Sequence, residues 1–275
     1  MLAKRILSLV IGFAFTIFVI LYTNIVVINI VVCAFMAIAV YEFGKAMKEK
    51  GINTLSDVLY LVILALFAVN VIDYLGMIRI PISDVYIYVF YPLSILAILM
   101  VGVVMHNKYN VIDVAATLMQ LLYCVFIFSF LINICGLDTG KVVVWYVFLG
   151  SWFCDIFAFC FGKAFGKHKL TKLSPNKTIE GSIAGVFGSV LACLAYTYII
   201  NTYLQMDISY LAILVFGLIA SIFSQFGDLF ASSIKRYTGI KDFGNIFPGH
   251  GGIMDRFDST IFVIPLVYFF ALFIF

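Results

Sequence analysis

Nine stretches of the chain are apolar for long enough to cross a bilayer: Ile6 to Tyr22, Asn24 to Phe43, Val58 to Gly76, Val85 to Met105, Val111 to Cys135, Val142 to Gly162, Gly181 to Tyr203, Ile208 to Ala231 and Ser259 to Phe275. The runs are continuous rather than alternating, and a lone strand in lipid would leave its backbone unpaired, so each predicts a helix. The first run follows Lys4 and Arg5 but no small-residue cleavage site follows it. It reads as a retained span rather than a signal peptide.

Between these runs the basic residues fall on alternate sides. With the N-terminus inside, the inner segments hold 15 of the 17 Lys and Arg, and only Arg79 and Lys141 lie outside. Basic residues of short loops stay on the cytoplasmic side. The expected architecture is therefore an all-α polytopic membrane protein of about nine transmembrane helices, N-terminus cytoplasmic and C-terminus outside. Residues 1–140 form an N-terminal set of about five spans. Residues 141–275 carry the remaining spans and two polar cytoplasmic loops, 163–180 and 232–258.

Composition removes the other classes. The 275 residues are 64% hydrophobic and 11% charged, whereas soluble domains are about 45–50% apolar and about 25% charged. The six cysteines lie in or at the ends of apolar runs and form no CxxC pair. They point to helix packing rather than to zinc or disulfides.

The polar residues are concentrated in the two loops. Residues 163–180 carry five Lys and one Glu, and end in Ser174, Pro175, Asn176, Lys177 and Thr178 ahead of Glu180 and Gly181. Such a turn places hydroxyls and amides at a helix N-terminus, where anions bind; its lysines could also serve only the positive-inside rule and anionic headgroups. Residues 232–258 hold Lys235, Arg236 and Lys241, then Pro248, Gly249, His250, Gly251 and Gly252, then Asp255, Arg256 and Asp258. Glycines let the backbone approach a phosphate, though a glycine cluster is also simply a tight turn. Asp255 and Asp258 are three apart and share a helix face. Asp155 and Asp228 lie within spans, where an acid normally faces a cavity or a partner. Asp73 and Asp113, near span ends, read as solvated or interfacial. His250 has no second His near it, so a zinc site is not indicated. Hard carboxylates beside basic groups suit Mg²⁺ and a polyphosphate.

The second loop resembles the signature of the phosphatidate cytidylyltransferases, or CDP-diacylglycerol synthases. The matching positions are Ser232, Ile234, Lys235, Arg236, Lys241, Asp242, Gly244, Phe247, Pro248, His250, Gly251, Gly252, Asp255, Arg256, Phe257 and Asp258, and the likeness extends to Gln225 through Asp228 and to Ser174 through Gly181. The resemblance implies transfer of CMP from CTP to phosphatidic acid, giving CDP-diacylglycerol and pyrophosphate in phospholipid biosynthesis. It implies a homodimer in a bacterial cytoplasmic (inner) membrane, with the active site facing the cytoplasm, and no nucleic acid as partner. By the same resemblance Asp228 and Asp255 hold the divalent metal, Mg²⁺, and K⁺ accompanies it. Lys235, Arg236, Lys241, His250 and Arg256 complete the expected catalytic set. Ser174, Lys177, Thr178, Ser232, Gly251, Gly252, Asp258 and Asp155 are the expected substrate-binding residues. The rival readings are another enzyme acting on CTP or a lipid phosphate, such as a polyprenol kinase, and a transporter. A transporter predicts internal repeats and broken helices, and neither is visible.

Overall fold

The computed structural model describes residues 19, 23–77, 89–246 and 251–274, so the expected first span apart from Val19, the start of the fourth, Arg79 and His250 lie outside the described residues. The described residues are helical, with no strand among them beyond one isolated antiparallel bridge between Lys169 and Thr178. Among the described residues ten α-helices follow in chain order: α1 (Ile25–Lys48), α2 (Ser56–Tyr74), α3 (Tyr91–Val104), α4 (Val111–Gln120), α5 (Ile127–Gly136), α6 (Gly140–Val143), α7 (Trp145–Phe165), α8 (Ile179–Leu204), α9 (Tyr210–Thr238) and α10 (Met254–Ile274). A π-helical segment, Leu121–Phe126, joins α4 to α5. Among the described residues, seven helical segments are long and apolar enough to cross a membrane, and α3 is a shorter apolar helix.

The chain divides into two compact units: Met1–Gly136 with Thr238–Asp255, and Leu137–Tyr237 with Arg256–Phe275. In the first unit α1 packs against α2, α4 and α5. The start of α4 anchors the loop between α1 and α2. Asn110 caps α4 by accepting from the Ile112 and Asp113 amides, while the Asp113 carboxylate accepts from the Asn110 and Asn53 amides at 2.8 and 2.7 Å. The Leu55 amide donates to Thr117 Oγ1 at 2.9 Å. Asp113 is thus 2% exposed, not solvated as its place near a span end suggested. Its two amide donors supply what water would have supplied.

In the second unit α7 and α8 are closely paired. Helices in lipid lack a hydrophobic drive toward each other and associate where small residues admit close contact. Gly181, Gly185 and Gly188 of α8 meet α7 in this way: a Cβ on Gly185 would lie 2.9 Å from the Cys154 carbonyl, and one on Gly188 would overlap the Phe157 ring. Tyr146 Oη and Thr197 Oγ1 share a buried 2.7 Å hydrogen bond between the same two helices. Ser151 on α7 bonds Thr260 on α10 at 3.0 Å, and Ser189 on α8 donates to the Gly217 carbonyl on α9 at 3.3 Å. All six cysteines are free thiols, four of them buried.

Candidate active site

The first polar loop is a short, pinned turn. After α7 the Leu170 amide donates to the Lys177 carbonyl at 2.9 Å, the Ile179 amide to His168 at 2.9 Å and the Lys177 amide to Ser174 at 3.1 Å. Thr178 caps α8 by accepting from the Gly181 amide at 3.1 Å. Gly162, Gly166 and Gly181 all lie against the Thr178 side chain. Glu180 accepts from the Lys167 amide at 3.1 Å and from His168 Nδ1 at 2.7 Å, tying the loop to the first turn of α8. Thr178→Ala is expected to cost about 1 kcal/mol through loss of the cap, read as a lower melting temperature of the purified protein.

This turn delivers Lys177, half-buried, to an ion pair with Asp228 of α9. One turn further along α9, Ser232 Oγ lies 3.5 Å from Asp228 Oδ1. α9 runs on past its apolar stretch to Thr238, so Ser232, Lys235 and Arg236 are helical. Cationic side chains in a helix's last turn face the negative end of its dipole. Lys235 Nζ lies 3.7 Å from Asp258 Oδ2 of α10, with side chains only 15% and 16% exposed. Arg236 Nε donates to the Leu173 carbonyl at 3.4 Å, so the end of α9 also touches the first loop. Asp155 Oδ2 on α7 accepts from Ser259 Oγ at 2.7 Å.

The second unit therefore gathers residues more than a hundred positions apart into one polar cluster: Asp155, Asp228 and Asp258 with Lys177 and Lys235. The three carboxylates lie close enough to repel one another, and Lys177 and Arg256 offset the charge on Asp155. Ser174 is half-buried in the turn, and Arg256 is exposed.

The remaining expected residues fall in the first unit. Lys241 is exposed on the loop before α10. Gly251 is buried with φ +82°, a conformation that favours glycine. That turn brings the Gly252 amide to Asp255 Oδ2 at 2.9 Å, and the Phe243 amide reaches the same oxygen at 2.8 Å. The next two amides, of Ile253 and Met254, donate to Glu42 Oε1 and Oε2 at 3.1 and 2.9 Å. The amides at the start of α10, an anion site by geometry, are thus occupied by the protein's own carboxylates.

Glu42 is the residue that sequence reading missed. It lies one residue before the end of its apolar run, in a stretch that reads as the polar margin of a span, yet it is 1% exposed. The signal that could have found it is an acid flanked by Tyr41 and Phe43 on an otherwise apolar helix.

Asp155, Asp228 and Asp258 offer the hard oxygen donors that Mg²⁺ prefers. Among the described residues no three His, Cys, Asp or Glu close into a metal cage. This is compatible with Mg²⁺, which is usually held by one or two carboxylates together with substrate phosphates and water.

The sequence profile of the cytidylyltransferase family matches residues 3–274. Phosphatidate cytidylyltransferases of Staphylococcus aureus (strain COL) and Staphylococcus haemolyticus (strain JCSC1435) are 44% and 40% identical over 162 residues, 58% of this chain and 60% of each relative. That of Bacillus subtilis (strain 168) is 39% identical over 178 residues, 64% of this chain and 65% of the relative. The matched stretches thus span under two thirds of those relatives' length. The family profile covers nearly the whole chain, and on that coverage the chain belongs to the cytidylyltransferase family.

Proposed function

We propose that this protein is a phosphatidate cytidylyltransferase, transferring CMP from CTP to phosphatidic acid with release of pyrophosphate. The observation that carries this reading is the pairing of Lys177 with Asp228 and of Lys235 with Asp258 in one polar cluster, on a chain of cytidylyltransferase descent. In this reading the protein spans the membrane nine times, N-terminus inside, with the cluster facing the cytoplasm where CTP is dissolved and the lipid headgroup lies. The homodimer is proposed on resemblance alone.

A phosphate oxygen of phosphatidic acid, anionic at neutral pH, attacks the α-phosphorus of CTP, and the bond to the pyrophosphate oxygen breaks. The attacking group needs no protein base, so the work is to bring anions together and hold them in line. Lys177 and Lys235, each now held by a carboxylate, can turn to phosphate oxygens when substrates arrive. Their carboxylates keep the empty cluster from carrying uncompensated positive charge. Arg256 supplies a further cation, and Ser174, Thr178 and Ser232 supply hydroxyls; Lys241 is retained as a phosphate partner by resemblance alone. Mg²⁺, when bound, would neutralise the developing phosphate charge. Asp228 is its first candidate ligand, with Asp155 and Asp258 nearby. Asp255 is retained as a candidate ligand by resemblance, alongside the anchoring of the Phe243 and Gly252 amides that it performs.

The test is pyrophosphate release by the purified full chain with labelled CTP, Mg²⁺ and phosphatidic acid in mixed micelles. Release dependent on both substrates is expected. Release of CDP on a polyprenol, with no product from phosphatidic acid, would assign the chain to the kinase reading instead.

A further inference from the structure

The first unit holds a cavity of about 700 Å³ that shares no residue with the polar cluster described above. It lies where α1 ends, α2 begins, α3 ends and α4 begins, and its lining includes Lys45, Lys48 and Lys108. All three lysines are exposed, and none forms an ion pair with a carboxylate of the described residues. This distinguishes them from Lys177 and Lys235, each of which has an acidic partner. Glu49 is the one acid in the lining. The lining therefore carries net positive charge, three lysines against the single carboxylate of Glu49, with Glu42 also acting on Lys45.

Its wall is built rather than incidental. Thr54 and Ser56 line it, with their hydroxyls 3.0 Å apart. They reach α1 closely because position 44 is glycine: a Cβ there would lie 2.9 Å from Ser56 Oγ and 3.1 Å from Thr54 Oγ1. The segment carrying them is held from behind, the Asn53 amide by Asp113 and the Leu55 amide by Thr117. Lys108 Nζ lies 5.0 Å from the centroid of the Tyr109 ring, which also lines the cavity. Preorganised hydroxyls beside exposed ammonium groups that form no ion pair suit a phosphate oxygen.

The mouth is amphipathic. Tyr60 lines the cavity on α2, and directly beside it and one turn on, Leu61 and Leu64 are 66% and 63% exposed. Val104, four residues before Lys108, is 79% exposed. A soluble anion has no use for such neighbours, whereas a lipid can place its phosphate among the lysines and its chains along α2 and α3. Basic pockets between helix ends on the cytoplasmic side are where anionic headgroups are held.

We infer that this cavity binds the headgroup of an anionic phospholipid through Lys45, Lys48 and Lys108. The test uses the purified full chain and native mass spectrometry after exchange into micelles containing phosphatidylglycerol or phosphatidylcholine. Wild type is expected to retain phosphatidylglycerol over phosphatidylcholine. The Lys45→Gln/Lys48→Gln/Lys108→Gln variant should bind it on the order of 10- to 100-fold more weakly, as three near-surface cations imply. A control variant, Lys163→Gln/Lys169→Gln/Lys172→Gln, removes the same charge from exposed positions elsewhere and should retain it. Equal loss in both variants would overturn the inference, because generic charge would then explain retention. Binding of pyrophosphate or CTP that needs the three pocket lysines, with no lysine-dependent lipid retention, would also overturn it in favour of a soluble anion. Should the triple variant fail to fold, Lys48→Gln and Lys108→Gln are measured singly. Each is expected to weaken retention about fivefold, and no change in either would overturn the site.

Discussion

Asp228→Asn is expected to lower turnover by at least about 10²- to 10³-fold, the scale of removing one preorganised charge partner from a phosphoryl-transfer site, while leaving the protein folded. Asn keeps the shape of the side chain and its hydrogen-bonding reach to Ser232. It removes the charge that balances Lys177 and that would hold the divalent metal. The pair is about a quarter exposed on each side, so its loss should cost stability no more than about 1 kcal/mol. Activity and stability therefore separate: pyrophosphate release falls while the melting temperature moves by a few degrees at most. Turnover within a few-fold of wild type would remove Asp228 from the mechanism. Asp255→Asn is the informative companion. An amide oxygen can still accept from the Phe243 and Gly252 amides, so the anchoring survives and only the charge is lost. Abolished turnover with an unchanged melting temperature supports the metal assignment, whereas retained turnover would leave Asp255 as an anchor alone.

Seven of the nine expected spans have a matching long apolar helix among the described residues, and they were legible because lipid demands long apolar runs and backbone self-satisfaction. The expected Val111 to Cys135 is the observed segment residue for residue, although the π-helical stretch inside it left no mark in composition. Helix ends were less legible, since an apolar criterion stops where charge begins. α1 continues five residues past Phe43 and α9 seven past Ala231, because a helix emerging from lipid keeps its hydrogen bonds and tolerates Lys and Arg in its last turns. The loops were recognised by their charge, but charge could not say which partners meet. Nothing in the spacing of Lys177 and Asp228, or of Lys235 and Asp258, announces an ion pair; each depends on how helices pack. Asp113 shows the converse. Its capping partner Asn110 stands three residues earlier, a local pattern that marks a helix start, yet its burial arises from the distant Asn53 amide.

Glu42→Ala is expected to destabilise the protein by about 3–5 kcal/mol, the range for removing one member of a buried charged hydrogen-bonded arrangement. Two amides at the start of α10 would lose their acceptors at once, and each buried donor left unpaired costs about 1–3 kcal/mol. Glu42→Gln is expected to fall between that variant and wild type. Its single carbonyl oxygen can satisfy one amide, while its NH₂ group would face the other, donor against donor. The neighbouring glycines supply an independent check. The Glu42 carboxylate fills the space that a side chain at Gly244 or Gly252 would occupy, so Gly252→Ala alone should also destabilise, by forcing the carboxylate off the amides. If that collision is the cause, Gly252→Ala should cost far less in a Glu42→Ala background, where the space is vacant. The two changes would then be strongly non-additive, as residues in contact are. Thermal unfolding of the four proteins of this cycle in one detergent measures the coupling. Additive costs, or a Glu42→Ala protein that melts with wild type, would show that the carboxylate does not hold the start of α10.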